Sequence, residues 1–243
     1  MRMRKKPNLL PRMERAAAVL AAEPERHRGA WRTLLPDCAG VQLELGCGKG
    51  RFTADTAAAL PEKLLVAVEK VPDAMVMAME RALEKGLHNV IFIDRDAALL
   101  PELFAPEEVE RIYLNFCDPW PKSRDAKHRL TAPGFLRLYA DALAEGGELW
   151  FKTDNRPLFD WSVEQFTSEG WSLSEVTNDL HADGICGVMT DYEAKFHARG
   201  VKINRLVATK TADTKTTAAG TPERLRNAAL SDARGKQEIK KCD

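Results

Sequence analysis

The stretch Leu43-Glu44-Leu45-Gly46-Cys47-Gly48-Lys49-Gly50 decides how the rest of the chain is read. It ends a short apolar run, Val41 to Leu45, with alternating glycines, and a helical pattern follows. Glycines between a strand and a helix let the backbone turn tightly and let a ligand approach the main chain. A second apolar run, Leu64 to Val68, ends in Glu69. A carboxylate about twenty residues beyond such glycines can accept hydrogen bonds from ribose hydroxyls. Farther out, Val90 to Ile93, Arg111 to Phe116 and Glu148 to Lys152 read as strands. Helical patterns lie between them. Pro72 to Lys85 opens on Pro72-Asp73, places Met75, Met79 and Leu83 on one stripe and stops at Gly86. Pro133 to Ala144 stops at Gly146-Gly147, and Pro157 to Ser168 follows the fifth strand. Trp171 to Val176 and Asn204 to Ala208 complete the set. Such alternation predicts a Rossmann-like α/β fold: a doubly wound, mostly parallel sheet with helices on both faces.

The glycine spacing narrows the ligand. A dinucleotide loop reads GxGxxG, whereas here Arg51 stands where its third glycine belongs. Glu44, two residues before the first glycine, is placed to face a cationic amino group. S-adenosylmethionine has such a group and no pyrophosphate. Asp96, just past the third strand, is placed for the adenine.

Residues 115–130 begin where the fourth strand ends, beside this loop. Asp118-Pro119-Trp120-Pro121 is stiff, because each proline fixes φ and restricts its predecessor. Trp120 offers a face on which a base can stack. Lys122, Arg124, Lys127, His128 and Arg129 follow, opposed only by Asp125. Basic charge beside an aromatic side chain suits phosphate contacts, though the same pattern fits a solvated loop.

Three regions are distinguishable. Residues 1–36 form a basic N-terminal arm in which only Glu14, Glu23 and Glu25 oppose the arginines and lysines. Residues 37–209 carry the alternating pattern. Residues 210–243 have few large apolar side chains and read as a disordered tail, with a short helix possible at Thr221-Pro222-Glu223. The chain has 243 residues, 44% hydrophobic and 30% charged, with zero formal net charge, as expected of one globular domain. It has no apolar run long enough to span a membrane and no secretory h-region, so the expectation is a cytoplasmic protein. The 5 cysteines show no metal-ligand spacing, which predicts no metal and no disulfide. Cys47 and Cys117 lack a base partner at motif spacing and read as small buried residues.

Taken together, LELGCGKG at 43–50, VEK at 68–70, NFCDPWPKSRDAKHRLT at 115–131, FKTDN at 151–155 and TDYEAKFHARGVKINRL at 190–206 resemble the bacterial tRNA (guanine-N7)-methyltransferase family. The 115–131 block is its most specific carrier. The resemblance runs from residue 1 to about residue 209 and leaves the tail outside. It implies a class I methyltransferase fold and methyl transfer from S-adenosylmethionine to N7 of a tRNA guanosine in the variable loop. It implies a donor site of Glu44, Gly46, Gly48, Glu69, Asp96 and Asp118, with Asp118 also catalytic. It implies substrate contacts from Lys122, Asp154, Thr190, Asp191, Tyr192 and Glu193. RNA contacts would come from Arg124, Asp125, Ala126, Lys127, His128 and Arg129. Two positions depart from the family pattern: Asp191 stands where Glu is usual, and Cys117 where Ser is common. The partner implied is tRNA, bound by a monomer or homodimer without an obligate protein partner. The competing reading is an RNA-binding module of the same fold without turnover. A small-molecule methyltransferase fits the basic segments less well.

Overall fold

The computed structural model describes residues 8–217. The chain enters through helix α1 (Leu9–Arg15) and 3-10 turns at Ala17–Val19, Pro24–His27 and Trp31–Leu34. Then follow β1 (Gly40–Leu45), α2 (Arg51–Ala59), β2 (Lys63–Val68), α3 (Pro72–Glu84), β3 (Val90–Ile93) and α4 (Leu100–Leu103). The second half consists of β4 (Val109–Asn115), α5 (Pro133–Ala142), β5 (Leu143–Thr153), α6 (Arg156–Ser168), β6 (Ser172–Thr177), α7 (Asp191–His197) and β7 (Asn204–Thr209).

The strands form one sheet in the order β3-β2-β1-β4-β5-β7-β6. The first five are parallel to one another, and β7 runs antiparallel to both β5 and β6. Strand β2 shows why helices must cover both faces. Leu64, Val66 and Val68 join one core cluster with Trp31, Leu136 and Phe159. Leu65 and Ala67 join the opposite cluster with Phe52, Met75, Met79 and Phe92. Successive side chains of a strand point to opposite faces, so a run apolar at every position needs a cover on each. The order of strands reverses between β1 and β4, where Leu45 pairs with Leu114. In open parallel sheets the crevice at that point, beyond the carboxyl ends of the strands, is where ligands sit.

Several expectations change. In α3, Met75, Met79, Ala78 and Ala82 are fully buried, but Leu83 is 39% exposed and lies off the stripe. Gly146 and Gly147 do not end a helix. They lie inside β5, which starts at Leu143, next to a register shift between Val109 and Arg111. The described part of the basic N-terminal arm packs against the rest of the chain. Trp31 is fully buried and its indole N–H donates to Leu103 O at 2.8 Å. The Ala21 N–H donates to Phe92 O at 3.0 Å, and Arg12 is ion-paired with Glu80 on α3. Residues 36 and 37 therefore mark no structural boundary.

The start of the tail is also packed. Lys210 Nζ donates to Leu143 O at 2.7 Å, and Thr214 Oγ1 donates to Gly170 O at 3.0 Å. Lys215 N–H donates to Glu169 O at 2.9 Å. The folded unit reaches at least residue 217, and the rest of the expected tail, with Thr221-Pro222-Glu223, lies outside the described residues. Among the described residues no helix is long and apolar enough to cross a membrane.

Candidate active site

The three glycines of the β1–α2 turn all have left-handed φ, at 79°, 58° and 74° for Gly46, Gly48 and Gly50. Their surroundings differ. A Cβ at Gly46 or Gly48 would meet nothing within 4 Å, whereas one at Gly50 would lie 2.4 Å from the Ala78 Cβ. The first two glycines thus face open space and can admit a ligand to the backbone. The third lets the turn pack on α3.

Acids surround this turn. Glu69 follows β2 and accepts from the Gly48 N–H and the Val71 N–H, both at 2.9 Å. Burial raises its carboxyl pKa, and these backbone donors oppose the shift. Glu44, 1% exposed, lies beneath the turn. It accepts from Thr53 Oγ1 at 2.6 Å and Asn115 Nδ2 at 3.2 Å. Burial pushes its carboxyl up to about 7, against those hydrogen bonds and the positive charge of Lys152. Asp96 follows β3 and caps the turn Ala97–Leu99, accepting from the Ala98 N–H at 3.0 Å. Burial pushes the Cys47 thiol well above its ordinary value and the Cys117 thiol up to about 12, which removes both from thiolate chemistry.

Asp118 lies in the loop after β4, at a shallow cavity of about 210 Å³ lined by Asp118, Pro119, Trp120 and Pro121. A larger cavity, about 400 Å³, is bordered by Gln42, Lys63, Glu110, Arg111 and Glu148 at the opposite end of the sheet. Its charges are matched, Lys63 to Glu110 at 2.7 Å and Arg111 to Glu148 at 2.8 Å, and it is separate from the glycine turn. Past Asp118, the exposed Lys122 leads into the 3-10 turn Ser123–His128. Arg124, Lys127 and His128 are exposed on it, and Asp125 lies 3.8 Å from Arg124. Ala126 contributes its carbonyl, which accepts from the Arg129 N–H at 3.1 Å. Arg129 differs from the other basic residues. Its guanidinium turns back and donates to Pro119 O and Trp120 O, each at 3.0 Å.

The substrate-side segment 190–193 is the start of a helix. Thr190 and Glu193 form a capping box: Thr190 Oγ1 accepts from the Glu193 N–H at 2.9 Å, and Glu193 Oε2 accepts from the Thr190 N–H at 3.2 Å. Glu193 is fully buried. Lys152 Nζ donates to it at 2.6 Å and to Val188 O at 2.9 Å. His181 Nδ1 accepts from the Cys186 N–H, so Nε2 carries the proton and donates to Glu193 Oε1 at 3.1 Å. Burial lowers the Lys152 pKa, and Glu193 opposes that shift. Asp191 is ion-paired with Arg81 of α3 at 2.9 Å. Thr190, Asp191 and Glu193, expected at the substrate, are engaged within the protein as well: Thr190 and Glu193 cap α7, and Asp191 ties it to α3. Tyr192 meets another of the expected substrate residues. Its hydroxyl donates to Asp154 Oδ2 at 3.0 Å, and its ring lies 4.1 Å from Phe196 and 5.1 Å from Phe116. The ends of β4 and β5 meet α7 there. Lys152, Asn115, Thr53, His181 and Arg81 were not singled out from the sequence, although Asn115 and Lys152 lie within its quoted motifs.

A seven-stranded sheet with a reversed β7 and a glycine turn at its switch point places the chain among class I methyltransferases. Solved structures with this fold include the 16S rRNA methyltransferase KamB, with a TM-score of 0.55 at 18% identity, covering 75% of this chain and 91% of that one. An antibiotic-related methyltransferase gives a TM-score of 0.53 at 17% identity, covering 74% and 92%. Residues 39–206 match the profile of a family described as putative methyltransferase. The tRNA (guanine-N(7)-)-methyltransferase of Listeria monocytogenes serotype 4b (strain F2365) is 42% identical over 209 residues, covering 86% of this chain and 98% of its own. That of Bacillus cytotoxicus (strain DSM 22905 / CIP 110041 / 391-98 / NVH 391-98) is 39% identical over 209 residues, covering 86% and 96%. The chain belongs to the tRNA (guanine-N7)-methyltransferase family.

Proposed function

We propose that this enzyme transfers the methyl group of S-adenosylmethionine to N7 of a tRNA guanosine at the carboxyl ends of β1, β2, β4 and β5. The observation that carries the reading is the convergence at that edge. Gly46 and Gly48 open toward solvent, Asp118 follows β4, and the Asp154–Tyr192 pair joins β5 to α7.

The residues present fit the donor. Gly46 and Gly48 leave room for its methionine part against the backbone. Glu69 receives the ribose hydroxyls and Asp96 the adenine. Glu44 faces the amino group from below; its bonds to Thr53 and Asn115 leave lone pairs free, since a carboxylate has about four acceptor positions. When bound, S-adenosylmethionine supplies an electrophilic methyl on a sulfonium centre. N7 of guanine has an in-plane lone pair and no proton, so the protein need not supply a strong base. What it must supply is in-line positioning and negative potential as the purine becomes cationic. Asp118 is assigned the catalytic contact, and Asp154 with Tyr192 the guanine edge. Lys122 holds the substrate beside them, while Arg124, Lys127 and His128 lie along its phosphates.

The test is single-turnover transfer of labelled methyl to bulk tRNA, with nuclease digestion to identify and locate the modified base. Asp118→Asn should lower the rate at least ~100-fold, as loss of one contact to developing charge does elsewhere. Its tRNA affinity should stay within about threefold of wild type, since phosphates supply most of the binding. A variant that transfers methyl at nearly the wild-type rate removes Asp118 from catalysis. A wild-type enzyme that binds tRNA without transfer marks a binding module.

A further inference from the structure

The loop after β4 has two non-glycine residues in the left-handed region, Phe116 at φ 54° and Trp120 at φ 41°. Bulky residues rarely adopt such angles, and they persist only where surrounding contacts fix them. Asp118 sits between the two. We propose that Arg129 is a positioning residue that clamps this loop and so sets the place of Asp118, and is not one of the phosphate contacts. The inference rests on the reading of Asp118 as the catalytic residue.

Three contacts carry it. Arg129 Nε donates to Pro119 O at 3.0 Å, and Nη2 donates to Trp120 O at 3.0 Å. One planar fork thus spans successive carbonyls of the Asp118-Pro119-Trp120-Pro121 turn. Its guanidinium carbon lies 4.4 Å from the centroid of the Trp161 ring on α6, so the fork rests on an aromatic shelf. Two residues on, buried Thr131 shares a 2.7 Å hydroxyl hydrogen bond with Ser162 of the same helix. The segment is therefore anchored on α6 twice, by the Arg129 side chain and by that of Thr131. Lysine cannot reproduce this arrangement, because an ammonium has neither the planar fork nor the stacking face. A phosphate contact, by contrast, asks mainly for positive charge. Arg124 and Lys127 lie exposed on the preceding turn and fit that second role.

The experiment compares Arg129→Lys, Arg129→Gln and Trp161→Leu with wild type by three measurements. These are amide hydrogen exchange across residues 116–122, single-turnover methyl transfer, and tRNA affinity against salt. The clamp predicts exchange in the loop faster by about tenfold or more in Arg129→Lys, because local opening has become easier. Transfer should slow by ~10-fold, since small misplacement of a reacting group has large rate effects. The slope of log affinity against log salt should not move in Arg129→Lys. Trp161→Leu, which keeps the arginine, should reproduce the faster exchange and slower transfer. The clamp is overturned if loop exchange in Arg129→Lys and Trp161→Leu matches wild type. It is also overturned if Arg129→Lys restores transfer while Arg129→Gln flattens the salt slope by about 1, the signature of one phosphate contact. If Asp118→Asn retains full activity, the catalytic reading fails by itself, and loop exchange alone then decides the clamp.

Discussion

Glu44, next to last in β1, and Glu69, just after β2, both lie by the glycine turn, and their surroundings give them different behaviour. Two backbone N–H groups hold the Glu69 carboxylate at the rim. Glu44 is sealed below, and burial lifts its carboxyl to about 7 from the ordinary 4.5. Between those values the unfolded chain has lost a proton that the folded chain keeps. The contribution of Glu44 to stability is therefore full below pH 4.5 and lost as pH rises through about 7. Donor binding should run the other way, since an ionised Glu44 attracts the amino group of S-adenosylmethionine. Titration calorimetry from about pH 6 to 8.5 should show affinity rising through the Glu44 transition in wild type, with a flatter profile in Glu44→Gln. Parallel profiles for the two proteins would place Glu44 outside the donor site.

At the scale of elements, a buried cation ties α7 to β5. Lys152 comes from β5 and its anion, Glu193, from the third residue of α7. Removing one member of a buried pair leaves the other without compensation, at a cost of about 3–5 kcal/mol. Glu193→Gln should therefore lower the melting temperature much more than Thr190→Ala, which loses a cap contributing about 1 kcal/mol. Lys152→Met combined with Glu193→Gln should recover much of the loss. Equal melting temperatures for the two single variants would mean that the pair does not hold the helix. This element also marks the limit of what the sequence conveys. Strands β1 to β4 and helices α3, α5 and α6 were legible because their apolar periodicity is local. The family resemblance assigns Thr190 to Glu193 to the substrate, and the sequence does not convey their partners inside the protein. Glu193 meets a lysine 41 residues away, and Asp191 an arginine 110 away. The glycine turn and its rim acids were legible for the opposite reason, since their spacing along the chain sets their placement. For Arg129 the sequence offers only its charge and the family resemblance, because the direction of a guanidinium depends on what packs around it.

Across the whole molecule, the zero net charge hides an uneven surface. Much of the positive charge in the described N-terminal segment is already engaged. Arg12 pairs with Glu80, Arg26 with Glu23, and Arg28 donates to Pro101 O. The exposed side chains of Lys122, Arg124, Lys127 and His128 form a basic stretch beside Asp118. Arg124→Ala with Lys127→Ala should weaken tRNA binding and reduce the salt slope by roughly 1 to 2 units. S-adenosylmethionine affinity should be unchanged. Filter binding at four salt concentrations checks this, and an unchanged slope would place the tRNA on another face. The packed segment 210–217 has a practical consequence for handling the enzyme. Lys210 is tied to Leu143, where β5 begins, and Thr217 is bonded to Asp141 at the end of α5. Asp154 lies just past the other end of that strand, roughly 26 Å away at the usual rise per residue, because the irregularity between Leu143 and Glu148 takes up only two residues' length of β4. A surface tether or fluorescent reporter fused directly after Thr217 would grip the protein by its back, leaving the catalytic edge turned outward to incoming RNA.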